Sequence, residues 1–159
     1  MKIVINTCFG GFGLSPAGIK RWAELKGRPC YFFASEAGKM LQYVPIRQED
    51  AEDSILWTAF DIPNPNEVLG RDDNWHGMTL DERKAHNDLH ARHSLYDNSI
   101  PRNDPDLIRI VEEMGAGHRT GASGWAADLK VVEIPDGVDY EIEEYDGNEH
   151  IAEKHRTWG

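Results

Sequence analysis

The stretch with the clearest chemical potential is "INTCFGGFGLSP", which follows a short apolar run near the start of the chain. It contains three glycines within four positions, Gly10, Gly11 and Gly13, and two phenylalanines, Phe9 and Phe12. Backbone N–H groups in a glycine-rich turn before a helix can bind a phosphate, and the helix dipole assists them. Aromatic rings can stack on a nucleobase. The loop therefore suits a nucleotide better than it suits bare phosphate.

Two alternative roles for this loop stay open. A Walker loop would need a lysine before Ser15, and a dinucleotide fingerprint would need glycine where Pro16 stands. The pattern is therefore generic, and the glycines could serve a turn with positive φ against which Phe9 and Phe12 pack. Cys8 could instead be a nucleophile, although a cysteine phosphatase loop would place an arginine near Ser15, where the chain has none.

Basic side chains cluster again at the other end of this acidic chain, at Lys154, His155 and Arg156. The planar guanidinium of arginine binds phosphate or carboxylate, so this segment could neutralise a bound anion. It could equally pair with glutamates on the partner strand of a hairpin. A second glycine-rich stretch, "GAGHRTGASG", holds a weaker anion candidate in His118, Arg119 and Thr120. The predicted ligand-binding residues are Thr7, Phe9, Gly10, Gly11, Phe12, Gly13, Lys154, His155 and Arg156.

Three histidines, His86, His90 and His93, recur at a spacing that places them on one face of a helix. Imidazoles arranged in this way could bind zinc or nickel. The same segment is rich in charged residues and poor in apolar ones, which favours a solvated helix face. The carboxylates of the chain form no acid/base pair by spacing. We therefore predict no metal site, no cofactor and no catalytic residue.

Composition limits the class of protein. The 159 residues fit a single domain, predicted here to span residues 1–159. The formal net charge of −11 repels the backbones of DNA and RNA, so bulk nucleic-acid binding is disfavoured, although a local cluster can still bind a small anion. No apolar run is long enough to span a membrane, and the first residues lack a signal peptide. We expect a cytoplasmic protein without a membrane partner, in which Cys8 and Cys30 are free thiols.

Local signals predict an α+β fold with a mixed β-sheet, two or three helices and a C-terminal β-hairpin. The segments with the apolar or alternating character of strands are 2–6, 31–33, 40–46, 54–60, 129–134, 138–142 and 149–156. Helices are predicted to begin after Ser15, at a capping box formed by Thr79 and Glu82, and after Asp104. The Asp-Gly pair at positions 146 and 147 predicts the turn of the final hairpin.

Several blocks, "MKIVINTCFGGFGLSP", "DPDLIRIVEEMG", "LKVVEIPDGVDYEIEEYDG" and "IAEKHRTWG", resemble a family of small proteins encoded by tailed bacteriophages and prophages. The middle stretch "NPNE…WHGMTLDER" is similar to that family too, so the resemblance covers most of the chain. It transfers no catalytic residue. It implies a virus-encoded accessory protein that acts in the bacterial cytosol. Proteins of that kind often counter host defence, and one route is to sequester a nucleotide immune signal.

The leading hypothesis is a non-enzymatic binder of a small anionic nucleotide that forms a homo-oligomer. The glycine amides would bind phosphate, Phe9 or Phe12 would stack on the base, and the basic strand end would neutralise charge. One alternative is a nucleotide-processing enzyme that uses Cys8 or a metal held by the histidine face. Another is an acidic inhibitor of a host protein, whose carboxylates resemble nucleic-acid charge. Those carboxylates are Glu141, Glu143, Glu144 and Asp146.

Overall fold

The computed structural model describes residues 1–35, 42–69, 77–95, 99–117 and 121–154. These residues form five helices and seven strands. The helices are α1 (Pro16–Leu25), α2 (Gln48–Glu52), α3 (Pro65–Val68), α4 (Leu80–His93) and α5 (Pro105–Met114). The strands are β1 (Lys2–Asn6), β2 (Tyr31–Ser35), β3 (Tyr43–Ile46), β4 (Thr58–Phe60), β5 (Leu129–Glu133), β6 (Tyr140–Tyr145) and β7 (Asn148–Glu153). None of these helices is long and apolar enough to cross a membrane.

The chain divides into two compact units, which we describe separately. The first unit contains residues 1–22 and 97–159, and the second contains residues 23–96. Along the sequence the second unit is therefore inserted into the first, and the boundary falls within α1. The single domain expected over residues 1–159 stays a prediction.

The first unit is built on a two-stranded antiparallel sheet, in which β1 pairs with β5 from Lys2 opposite Glu133 to Asn6 opposite Leu129. α5 packs against both strands, and β7 also contacts β1. Every residue of β1 after Lys2 is therefore buried. Removing these apolar side chains from water supplies the main stabilising free energy of the unit. The buried apolar residues of β1, α5 and β5 are Ile3, Val4, Ile5, Leu107, Ile110, Val111 and Leu129.

Helix α5 begins where the sequence predicts, after Asp104. A carboxylate oxygen of Asp104 accepts hydrogen bonds from the N–H groups of Asp106 at 2.9 Å and Leu107 at 3.0 Å. Pro105 occupies the first helical turn, where no N–H is needed. Gly115 ends the helix with a φ of 71°, a conformation that glycine adopts without a Cβ penalty.

Strands β6 and β7 form the predicted C-terminal hairpin, from Tyr140 opposite Glu153 to Tyr145 opposite Asn148. The two turn residues, Asp146 and Gly147, have φ angles of 51° and 84°. Positive φ at both central positions is the requirement of a two-residue type I′ turn. The Asp-Gly pair therefore specifies this turn through backbone conformation alone.

The second unit contains a three-stranded antiparallel sheet in which β2 lies between β3 and β4. A buried cluster of Phe33, Tyr43, Phe60 and Leu69 forms its core, and Leu89 of α4 packs against it. The three rings meet edge to face with centroids 4.8–6.4 Å apart, the arrangement that aromatic quadrupoles favour. α4 begins at the predicted capping box.

The α+β class and the C-terminal hairpin are confirmed. The expected mixed sheet is instead three small sheets, and every strand pairing in the described residues is antiparallel. Helices α2 and α3 were not predicted because five and four residues are too few for an apolar period to show. The strand predicted over 54–60 is confined to β4, since the Leu56 N–H donates to the Ser54 hydroxyl at 3.0 Å in a turn.

We expect Asp104→Ala to lower the free energy of unfolding by about 1 kcal/mol, because two N–H groups at the start of α5 lose their acceptor. Urea denaturation followed by far-ultraviolet circular dichroism measures this change. Asp104→Asn keeps a side-chain oxygen and should lose less than half as much. Equal losses for the two variants would contradict the capping role.

Candidate functional site

Residues 8–13, here called the glycine loop, lie against residues 121–128, here called the second loop. The Gly124 N–H donates to the Gly13 carbonyl at 2.7 Å, and the Ser15 N–H donates to the Ala122 carbonyl at 2.9 Å. A Cβ placed on Gly10 would overlap the carbonyl oxygen of Ala126. The two glycine-rich stretches of the sequence therefore meet in space, which the sequence alone left open.

The turn of the β6–β7 hairpin also contacts the glycine loop. A Cβ placed on Gly147 would overlap the backbone nitrogen of Gly11. Close packing of backbone against backbone thus explains why glycine stands at positions 10 and 147. This supports the alternative in which glycine serves the turn itself, and it leaves a ligand role for the loop as a prediction.

Asn6, at the end of β1, connects all three segments. Its side chain is fully buried. The side-chain amide donates to the carbonyls of Cys8 at 2.7 Å and Gly147 at 2.6 Å. Its side-chain oxygen accepts from the Asp128 N–H at 2.7 Å. One buried carboxamide therefore fixes the glycine loop, the second loop and the hairpin turn relative to one another. The sequence carried a weak signal for this, a polar residue ending an apolar strand.

An ion pair between a buried glutamate and a half-buried arginine lies beside this carboxamide. Glu149 accepts the Asn6 backbone N–H at 2.8 Å through one oxygen and the Arg102 guanidinium at 2.8 Å through the other. The guanidinium carbon of Arg102 also lies 3.3 Å from the centroid of the Phe12 ring, in cation–π contact. One face of Phe12 is therefore covered. Sequence reasoning missed Arg102, because it comes from a loop with no motif of its own.

The backbone N–H groups of the glycine loop differ from the Asn6 and Glu149 side chains in their hydrogen bonding. Among the residues that the structure describes, no acceptor receives a hydrogen bond from the N–H groups of Phe9, Gly10, Gly11, Phe12 or Gly13. Five consecutive N–H groups thus have no acceptor among the described residues, although the backbone nitrogen of Gly11 lies close to Gly147. Phe9 precedes the glycines with 67% of its surface exposed, so its ring does not pack back onto the loop.

Two further predicted or alternative site residues are engaged within the protein. The Thr7 hydroxyl lies 3.0 Å from the Asp128 carboxylate, and the Thr7 N–H donates to the Asp128 carbonyl at 2.8 Å. The Cys8 thiol donates to the Ala126 carbonyl at 3.1 Å and lies 3.4 Å from the Asn6 side-chain oxygen. Among the described residues, no imidazole or amine contacts this sulfur. Within the part of the chain that the structure describes, Cys8 therefore has no base that could activate it.

The predicted basic strand end is only partly within the described residues. Lys154 is exposed, and its N–H donates to the Asp139 carbonyl at 2.9 Å, just beyond β7. His155 and Arg156 lie outside the described residues, as do His118, Arg119 and Thr120. Their proposed contact with an anion therefore stays a prediction.

The histidines of α4 face the core of the second unit, so the expected solvated face is wrong. His86 is only 7% exposed. The His90 ring meets the Phe60 ring edge-on with centroids 5.3 Å apart, and His93 Nδ1 lies 2.9 Å from an Asp61 oxygen. α4 offers few apolar side chains, so imidazoles take the inward positions. Within the described residues, no group of three His, Cys, Asp or Glu side chains is placed to hold a metal.

Burial changes the titration of this helix face. The pKa of His90 is lowered from its ordinary value, first by burial and then by the nearby His86. Burial of Asp61 opposes ionisation, but hydrogen bonds from His93 and Arg28 outweigh it and the pKa of Asp61 is lowered. Arg28 Nη2 lies 2.9 Å from the Asp61 carboxylate. These groups stabilise the unit when His90 is neutral and Asp61 is ionised.

Comparison of the chain with protein-family models, curated proteins and solved structures found no match. The resemblance to bacteriophage proteins therefore stays a prediction. The chemistry of the site has to be inferred from its own contacts, exposed rings and donors.

We expect Gly147→Ala to destabilise the protein by about 2 kcal/mol more than Gly137→Ala. Both glycines have nearly the same positive φ, 84° and 82°, so both variants incur the cost of a left-handed residue, about 1–2 kcal/mol. A Cβ on Gly137 meets open space, whereas one on Gly147 meets the glycine loop. Urea denaturation of the two variants measures the difference. Equal losses of stability in the two variants would show that the hairpin turn does not pack closely against the glycine loop.

We expect the second unit to lose stability as the pH falls from 7.5 to 5.5. Because the folded-state pKa of His90 lies below its unfolded value, its contribution is fully present above the unfolded pKa and is lost as pH falls through the folded pKa. His90→Leu should flatten this dependence in urea denaturation at the two pH values. His150→Leu alters an exposed histidine of the hairpin and serves as the control. If the stability of His90→Leu changed with pH as much as that of the unaltered protein, the pH dependence could not be assigned to His90.

Proposed function

We propose that this protein binds a small anionic nucleotide at the glycine loop without transforming it. The observation that carries the proposal is the run of five backbone N–H groups, from Phe9 to Gly13, without an acceptor in the described residues. Backbone donors that converge in a loop bind anions, and phosphate oxygens are strong acceptors. The Asn6 contacts hold the loop in place before a ligand arrives, so little ordering entropy opposes binding.

The ligand class follows from the neighbouring ring. Phe9 is exposed and lies at the start of the run of donors. An exposed phenyl ring loses contact with water when a base stacks on it, which favours a ligand that has both phosphate and base. Phe12 is less suited to this role, because Arg102 already covers one face of its ring. Of the two predicted stacking residues, the contacts favour Phe9.

The charge near the loop supports a short-range attraction rather than a long-range one. Arg102 is a cation beside the loop, but its guanidinium is paired with the buried carboxylate of Glu149. The pair has no net charge, so the attraction comes from oriented N–H dipoles. The formal net charge of −11 repels an approaching anion at long range. Salt should therefore weaken the repulsion more than it weakens the contacts at the loop.

The resemblance to bacteriophage proteins supplies the proposed biological role. In that setting the protein would be a cytoplasmic, homo-oligomeric accessory protein of the virus, and its ligand would be a nucleotide signal of host defence. A binder that only removes such a signal from solution needs no catalytic group. This agrees with a Cys8 thiol that donates to a backbone carbonyl and with histidines that pack into a core.

One observation favours the acidic inhibitor as a second candidate. Glu141 and Glu143 are exposed on the same face of the β6–β7 hairpin. A target with a basic surface could contact this face. A stoichiometric protein captured from bacterial lysate, with no nucleotide bound, would favour this candidate over the first.

We expect Phe9→Ala to weaken nucleotide binding roughly 5- to 150-fold, because stacking of a base on an aromatic ring contributes about 1–3 kcal/mol. Isothermal titration with linear and cyclic nucleotides measures the change. Tyr31→Ala, which removes an exposed ring from the second unit, should bind as the unaltered protein does.

The proposal fails if folded protein, checked by circular dichroism, binds no nucleotide in that panel. It also fails if Phe9→Ala and Tyr31→Ala bind equally well. Mass spectrometry of small molecules released by heat from protein purified out of infected cells gives independent evidence of the natural ligand.

A further inference from the structure

Each of the three segments that meet around Asn6 carries one strongly exposed aromatic residue. Phe9 of the glycine loop is 67% exposed, Trp125 of the second loop is 60% exposed, and Tyr145 at the hairpin turn is 78% exposed. Among the described residues, the only other aromatic side chain with comparable exposure is Tyr31, in the second unit, at 40%. Exposed aromatic surface is unfavourable in water, so its concentration in one part of the first unit needs an explanation.

The backbone contacts place these residues near the free amides. Phe9 precedes Gly10, and Trp125 precedes Ala126, whose carbonyl touches Gly10. Successive Cα atoms are about 3.8 Å apart, so the Cα atoms of Phe9 and Trp125 are separated by no more than about 13 Å. Tyr145 lies two residues before Gly147, which touches Gly11. The backbones of the three aromatic residues therefore lie close along the chain to residues that contact the same run of N–H donors.

Most of the surface of these three residues is exposed, and none of them makes a ring–ring contact among the described residues. The ring–ring contacts found among the described residues involve different aromatic side chains, in the second unit. The indole N–H of Trp125 has no hydrogen-bond acceptor among the described residues, and that donor is available to the polar edge of a base. Trp125 and Tyr145 could thus be replaced with little effect on the core, which makes them suitable for testing.

We propose that Trp125 and Tyr145, together with Phe9, bind the base of the ligand, so that the ligand class is a nucleotide recognised through its base. This inference rests on the proposed function and extends it, because a site for sugar phosphates or inorganic phosphates would need only the amides. The amides bind the phosphate, and the rings supply the apolar faces against which a base loses its contact with water. Neither Trp125 nor Tyr145 was identified from the sequence.

The experiment compares two kinds of probe. The nucleotide probe is the tightest binder among adenosine, guanosine and uridine diphosphates and their 3′,5′-cyclic monophosphates. The base-free probe is ribose 5-phosphate. We expect Trp125→Ala and Tyr145→Ala each to weaken binding of the nucleotide at least fivefold and to change binding of ribose 5-phosphate less than twofold. Tyr31→Ala should change neither. Quenching of tryptophan fluorescence by the nucleotide should fall in Trp125→Phe.

The remaining outcomes separate this inference from the proposed function. If the nucleotide binds and Phe9→Ala weakens it, but Trp125→Ala and Tyr145→Ala do not, the inference is wrong and the proposed function stands. If Trp125→Ala and Tyr145→Ala weaken binding of the nucleotide and of ribose 5-phosphate equally, the rings do not recognise the base and the inference is again wrong. If no probe binds to folded protein, both fail. A change of sedimentation coefficient in Trp125→Ala without a change in binding would assign the rings to a protein interface and would overturn the inference.

Discussion

The first unit depends on one buried carboxamide. Asn6 has no access to water, so each of its polar atoms must find a partner inside the protein, and a buried polar group without one costs about 1–3 kcal/mol. Its partners are the backbones of the glycine loop, the second loop and the hairpin turn. The Asn6 side chain is the one group that bonds to all three segments, and direct backbone hydrogen bonds between the glycine loop and the second loop add to it. The ion pair of Arg102 and Glu149 reinforces the arrangement at the backbone of the same residue.

The close approach of these three segments has two consequences for the glycines, and the two are compatible. Gly10 and Gly147 are needed because backbone atoms of neighbouring segments occupy the space of a side chain. The same close packing keeps the loop rigid while its N–H groups stay unused among the described residues. A loop whose glycines are required by close packing can thus also present N–H donors to a ligand. Glycine in such a motif does not by itself distinguish a packing role from a ligand-binding role.

Much of the local structure was predictable because it is set by neighbouring residues. The caps of α4 and α5 and the Asp146-Gly147 turn depend on interactions within a few positions, and the structure has them as expected. The environment of the histidines was not predictable in the same way. Their spacing gave the shared face correctly, but whether that face meets water or a core depends on β4, which lies far away in the sequence. For the same reason Arg102 and Trp125 were missed: the first comes near the candidate site through Phe12 and the second through Ala126.

The position of Glu149 along the chain also affects the order in which the contacts of the first unit form during folding. Asn6 and Glu149 are 143 residues apart, and Asn6 and Gly147 are 141 apart. Contacts at such separation form late, because a long loop must close before they contribute. During synthesis on the ribosome, β1 emerges before Gly147 and Glu149, so the last residue of β1 finds these partners only after the intervening sequence has been made. Until then an apolar strand stays incompletely paired, which is the kind of intermediate that chaperones bind.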